Sequence, residues 1–193
     1  MSCSVLLAAD MLNPASISAA SHSNRDTTES PARVRLTLAA IGKLKAGPDR
    51  ELFDRYWGRL EASGRAVGLT HVTCVELPES RAADVLQRQA DETARLLKAV
   101  GPAIVVIAID EAGSFLTSAG FAKHLGDLRT DGRGGVALLV GGPDGHHSSI
   151  RERATLILNL GTLTLPHGLA RIILAEQLYR ATTILSGHPY HRA

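Results

Sequence analysis

The sequence predicts an α/β domain built on a mostly parallel sheet with helices on both faces. Three observations carry that expectation. Short apolar runs such as Ala103–Ile109 and Ala137–Val140 show no polar alternation, the pattern of strands covered on both sides. Such runs alternate along the chain with stretches of helical period. Aromatic residues are only 4% while the hydrophobic total is 45%, so the core must be built from Leu, Val, Ile and Ala. A length of 193 residues suits one domain with a full core and would crowd two.

Residues 1–32 are rich in Ser, Ala, Asn and Thr without sustained periodicity, and are expected to be a disordered extension. They lack the basic start of a signal peptide and the arginine content of a transit peptide. A start at Val34, read from a GTG codon, is the alternative. The β-rich segment Val34–Ile41 predicts a first strand, closed by Gly42. Lys43 and Lys45 follow at its carboxyl end, where open α/β sheets bind ligands, although a solvated turn explains them equally well. Asp49–Ala62 predicts a helix with Leu52, Phe53, Tyr56 and Leu60 inward and Asp49 as N-cap. Val72–Leu77 is a second strand, and Ser80–Val100 a long helix with Leu86, Ala90, Thr93, Leu97 and Val100 on its inner stripe.

The next apolar run, from Ala103, ends in Asp110 and Glu111. Acids at a strand's carboxyl end can be catalytic, hold a ribose, or cap a turn. Ser118–Leu128 predicts a helix with Phe121, Leu125 and Leu128 inward, and DGRGG a hairpin-like connection into the strand that begins at Val136. That strand stops at Gly141, Gly142, Pro143, Asp144 and Gly145, a loop that could bring backbone close to a ligand or simply turn. It does not match GxGxxG, so no dinucleotide fingerprint is present. A further short strand and a long apolar helix, Leu169–Leu185, precede the tail HPYHRA.

Charge and cysteine usage exclude several classes. The net charge is +2, so there is no polybasic arm. Arg25 against Asp10, Asp26 and Glu29 leaves the first 32 residues at −2 and the remainder at +4. Cys3 and Cys74 form no CxxC and no disulfide framework, which suggests a reducing compartment. The longest apolar run is far short of the roughly 20 residues that span a bilayer, so a soluble, cytoplasmic protein is expected. His188 and His191 have HxxH spacing, but two ligands without a nearby carboxylate or thiol do not define a metal site, and none is expected.

Taken together, GGPDG, LGTLTLPH, the helix containing AEQLYRA and the closing HPYHR resemble the SPOUT methyltransferases, and within them the family that methylates N3 of a pseudouridine in large-subunit ribosomal RNA. The resemblance is dense from Val136 to Arg192 and looser from Val34 to Arg133, giving one domain over residues 33–193. It implies a SPOUT-type fold with a carboxyl-terminal trefoil knot, between about Ile104 and the helix Leu169–Leu185. Its cofactor would be S-adenosyl-L-methionine, held by Ile109, Gly141, Gly142, Leu160, Gly161, Thr162, Leu163, Thr164 and Leu165. Without its neighbours, LGTLTL would read as a plain buried strand.

The resemblance further implies a homodimer paired through the last helix, whose apolar residues leave few exposed positions. Large-subunit ribosomal RNA would be the partner, with Arg171, Arg180, His188 and Arg192 as RNA contacts. Tyr190 could stack on an extruded base, and His167 or His191 could serve as a base. His146 and His147, directly after GGPDG, depart from the less polar residues usual in relatives. Two other readings remain on sequence: a nucleotide-binding enzyme of another class, which would lack its P-loop or GxGxxG, and a non-catalytic ribosome-binding factor.

Overall fold

The computed structural model describes residues 33–102 and 104–190; the extension expected over residues 1–32 lies outside the described residues. Five strands form one parallel sheet in the order β2-β1-β4-β3-β5. They are β1 (Val34–Ile41), β2 (Leu69–Leu77), β3 (Val105–Phe115), β4 (Gly135–Val140) and β5 (Leu156–Asn159). Every residue of β4 is buried, as an unalternating strand at the centre of a covered sheet requires.

Five α-helices cover the two faces: α1 (Pro48–Gly64), α2 (Val85–Val100), α3 (Ser118–Thr130), α4 (Ile150–Arg153) and α5 (His167–Leu185). Alternation along β1 divides the core. Leu36, Leu38 and Ala40 face α1, α3 and α5, where Phe53, Trp57, Leu60, Phe121, Leu125, Leu174 and Leu178 are buried. Ala39 and Ile41 face the other side, with Leu96 of α2 and Ile150 of α4. Helix α5 lies against both α1 and α3. The chain therefore leaves the edge strand β5 and returns across the sheet.

The structure corrects several expectations. Asp49 does not cap α1: Gly47 occupies the N-cap, Pro48 starts the helix, and Asp49 lies in the first turn, where its charge suits the helix dipole. Helix α2 begins at Val85, not Ser80, because the Asp84 side chain accepts the Gln87 N–H and so caps it there. Leu86 is consequently 65% exposed, and the buried residues are Glu92, Thr93 and Leu96. Strand β3 continues through Asp110 to Phe115, since Ser114 and Phe115 pair with Leu158 and Asn159 after a register shift. DGRGG joins no hairpin; it leads from α3 into a parallel strand.

The apolar circumference of α5 has a cause within the chain. Ile172, Leu174, Ala175, Leu178 and Ala181 are buried against the chain's own core, so a second subunit is not needed to explain them. Leu169 (41% exposed) and the half-buried Ile173, one turn apart, form an outward apolar edge.

Candidate active site

Three segments converge at the carboxyl edge of the sheet because their strands are neighbours. Ile109 pairs with Val140 of β4 on one side and with Leu158 of β5 on the other. Gly141 therefore begins its loop level with Asp110, the first residue of the irregular part of β3, and Leu160 follows Asn159, which pairs with Phe115 at the end of β3. Residues 160–166 belong to no helix or strand, and Thr162, Leu163 and Thr164 are exposed, Leu163 by 79%. LGTLTL is thus a loop, as the cofactor reading requires and the plain-strand reading does not.

The two glycines of β4's loop are needed by the chain itself. A Cβ on Gly141 would meet the Gly145 carbonyl carbon at 2.9 Å, and one on Gly142 would meet Glu92 Oε2 at 2.3 Å. The loop folds back tightly on itself and on α2, which by itself calls for both glycines. Gly145 has φ near +79°, the left-handed turn that reverses the loop. Asp144 anchors it through an ion pair with Arg88 at 2.7 Å, and Gln89 Nε2 donates to the Asp144 carbonyl at 2.5 Å.

Glu92, only 2% exposed, is a site residue that no motif signals. Its Oε1 accepts the Ser80 N–H at 2.7 Å, while Oε2 lies against Gly142 without a hydrogen-bond partner among the described residues. One carboxylate thus ties the segment after β2 to the glycine loop.

Beside it, the amino end of α5 meets the end of β1. His167 Nε2 lies 2.5 Å from the Ile41 carbonyl and 2.6 Å from Arg171 Nη2, and Arg171 Nη2 donates to the same carbonyl. Burial lowers the His167 pKa, and the Arg171 charge lowers it further against the opposing pull of the Ile41 carbonyl. Burial and Arg171 both favour the neutral ring, whose Nε2 is engaged by the Ile41 carbonyl and the Arg171 guanidinium.

Arg171, expected to face RNA, is 1% exposed. Its Nη1 donates to Glu76 Oε1 at 3.0 Å, and Glu76 also accepts the Leu44 N–H at 2.9 Å and Arg50 Nη2 at 2.7 Å. This guanidinium is committed inside the chain, and offers no surface to a nucleic acid. Gly42, with φ near +80°, passes close by: a Cβ there would lie 3.3 Å from both Arg171 Nη2 and Glu79 Oε1.

The remaining candidates gather on the outer face of α5. Arg180 donates to Glu176 Oε1 at 2.6 Å and lies 5.0 Å from the centroid of the Tyr190 ring. Tyr190 packs 4.8 Å from Tyr179, and its hydroxyl donates to Glu176 Oε1 at 3.2 Å. Burial and the Glu176 charge raise the Tyr190 pKa, so the phenol stays protonated. His188 is exposed, its Nδ1 accepting the Tyr190 N–H at 3.1 Å. His191 and Arg192 lie outside the described residues. No group of three or more metal-ligating side chains occurs among the described residues.

A parallel five-stranded sheet with a cluster of loops at its carboxyl edge meets the matching result from sequence comparison. Residues 34–191 match the family described as predicted SPOUT methyltransferase, and the chain belongs to that family. More particularly, it is 47% identical over 160 residues to ribosomal RNA large subunit methyltransferase H of Mesorhizobium japonicum, covering 83% of this chain and 100% of that protein. It is 48% identical to the protein of the same name from Rhizobium meliloti, again over 83% and 100%. Among solved structures, a probable methylase family protein from Haemophilus influenzae is 14% identical, with a TM-score of 0.43, over 83% of this chain and 70% of that one.

Proposed function

We propose that this protein methylates N3 of a pseudouridine in large-subunit ribosomal RNA, using S-adenosyl-L-methionine, as a cytoplasmic homodimer. The observation that carries the reading is that Ile109 of β3, Gly141 directly after β4 and the loop 160–165 after β5 belong to three neighbouring strands. The loops there are rich in Gly, Leu and Thr, which suits a ligand recognised by shape and main-chain hydrogen bonds. The names of the relatives support the substrate class, and the family match supports a single domain over residues 33–193, with 1–32 as an extension. The return of α5 across the sheet is compatible with the trefoil knot proposed here for this segment. No helix among the described residues is long and apolar enough to cross a membrane.

When bound, S-adenosylmethionine supplies a methyl group activated by its sulfonium. The chain's task is to align that group with the imide nitrogen and to accept its proton. Neutral His167 can accept a proton at Nδ1, and His191 is the alternative base. Tyr190 and His188 offer a stacking and hydrogen-bonding surface for the RNA, with Arg180 and Arg192 contributing charge.

The tail acts across the dimer in this proposal. Within its own subunit Tyr190 lies beside Glu176, nine residues along α5 from His167. At 1.5 Å per residue that is about 14 Å from the end of the helix where loop 160–165 joins. The outward edge formed by Leu169 and Ile173, continued by Leu116 (41% exposed) and Phe115 (58% exposed), supplies an apolar contact for a second copy. Mass spectrometry of ribosomal RNA from a strain lacking this gene tests the function: the account expects loss of one methyl from one pseudouridine, and an unchanged nucleoside profile would refute it.

A further inference from the structure

We infer that the segments following β1 and β2 form a phosphate-binding surface for the RNA strand, with Lys43, Lys45 and Arg81 contacting its backbone. The inference rests on the ribosomal RNA reading above.

Paired strands set the place. Ile41 at the end of β1 pairs with Leu77 at the end of β2, and the Gly42 N–H donates to the Leu77 carbonyl at 2.7 Å. Lys43 and Lys45 follow the first of these strands and Arg81 the second. On the other side of β1, a Cβ on Gly142 would lie 3.2 Å from Ile41 Cγ2, so the glycine loop borders the same strand end. His167 stands there too, with its Nε2 2.5 Å from the Ile41 carbonyl, and loop 160–165 runs directly into the helix that carries it. The cations therefore lie on the β1–β2 side of the candidate base.

Both segments are held in place by residues other than those cations. Glu76 Oε1 accepts the Leu44 N–H at 2.9 Å and Arg50 Nη2 donates to the Leu44 carbonyl at 2.9 Å, so the residue between the two lysines is fixed at both main-chain groups. After β2, Glu92 Oε1 accepts the Ser80 N–H at 2.7 Å, and Arg88 Nη1 donates to the carbonyls of Ala82 at 3.1 Å and Ala83 at 2.8 Å. Arg81 is thus tied down on either side. Lys43, Lys45 and Arg81 are themselves exposed, and no ion pair engages them among the described residues. Such cations add little to stability. Carried on backbone that is already ordered, they can bind a partner at a low entropic cost.

The neighbouring acids do not cancel this charge. Glu76 is paired with Arg50 at 2.7 Å and with Arg171 at 3.0 Å. Asp49 and Glu51 lie in the first turn of α1, where the helix dipole offsets them. Glu79 is exposed on the same edge and leaves the cations in excess. Two lysines flanking one anchored residue, with an arginine from the adjoining strand, suit the repeating anions of a phosphodiester chain more than a single anion. Contacts of this kind fix the register of a nucleic acid without reading its sequence, which is what presenting one base to His167 requires.

The test is methyl transfer to ribosomes from cells lacking the gene, followed against ribosome concentration at several salt concentrations, for Lys43→Gln, Lys45→Gln, Arg81→Gln and the triple variant. The triple variant should bind S-adenosylmethionine as wild type does in calorimetry, while its KM for ribosomes rises about tenfold or more and its log–log salt dependence flattens by roughly 0.7–0.9 per lost contact. A KM and a salt slope equal to those of wild type would overturn the assignment, and so would a loss confined to kcat. With a photo-reactive residue in place of Lys45, crosslinks to ribosomal RNA are expected, and crosslinks to ribosomal protein alone would overturn the assignment in favour of a protein partner. A wild-type chain that binds S-adenosylmethionine but leaves ribosomal RNA unmethylated would instead overturn the functional reading itself.

Discussion

Arg171 and Glu76 should respond unequally to removal. Replacing Glu76 by Ala takes away the acceptor of Arg171 Nη1, Arg50 Nη2 and the Leu44 N–H, and leaves a guanidinium that is 1% exposed without its counter-charge. Breaking a buried pair in this way costs about 3–5 kcal/mol. Arg171→Met keeps most of the side-chain volume and removes the charge along with its desolvation cost. Glu76, whose side chain is 19% exposed, still keeps Arg50 at 2.7 Å. The loss is then that of a few hydrogen bonds, about 1–3 kcal/mol. The double variant should cost less than the sum of the two by at least about 1 kcal/mol. Urea unfolding with matched slopes measures all three. Additive costs, or an Arg171→Met variant with wild-type stability and weakened RNA binding, would refute the assignment of Arg171 to the interior. Burial works against ionisation of Glu76, but the Leu44 N–H, Arg50 and Arg171 together hold its carboxyl below the usual range. The depressed value means that this contribution is intact at neutral pH and is lost only as pH falls through the folded-state value, below about 4.3.

His146 and His167 give a second, milder pH dependence. Both have lowered pKa values, so the unfolded chain binds more protons, and stability should fall as pH drops below about 6.5; a thermal midpoint that is flat between pH 7.5 and 5.5 would contradict this. Gly142→Ala places a methyl group 2.3 Å from Glu92 Oε2 and should destabilise the fold by about 1–3 kcal/mol. Lost cofactor affinity at unchanged stability would show that the glycine faces ligand instead. Ile173→Glu, at a half-buried position, should change chain stability by less than about 1 kcal/mol yet shift sedimentation from dimer to monomer. In a heterodimer of one subunit carrying Leu163→Asp in the exposed loop 160–165 with one truncated after Ser186, one working site should reappear if tails act in trans, and activity near zero would sink that arrangement.

What the sequence made legible was whatever local pattern determines. Strand β1 has the expected bounds, Val34–Ile41, because β-rich residues end at a glycine that the turn requires. The inward residues of α3, Phe121, Leu125 and Leu128, follow from helical period alone. Several of the misreadings trace to tertiary partners distant in sequence. Arg171 looks like a solvent-facing charge on α5 until Glu76, 95 residues earlier, is placed beside it. Glu92 sits on what looks like a polar position of α2, and only the arrival of Gly142 and Ser80 explains its burial. Residues 78–84 stay out of α2 partly because Arg95 Nη1 takes the Pro78 carbonyl and Arg88 Nη1 those of Ala82 and Ala83. Within the candidate site, the loops were readable from motif and the buried carboxylates beneath them were not.

The central claim is tested most directly by incubating the purified protein with S-adenosylmethionine carrying a labelled methyl group and with ribosomes from cells lacking the gene, then digesting the ribosomal RNA to nucleosides for mass spectrometry. The account predicts one labelled methyl per large subunit, on N3 of a pseudouridine, and no label on small-subunit RNA. Label on another base or on the small subunit, or no label from a chain that binds the cofactor, would contradict it.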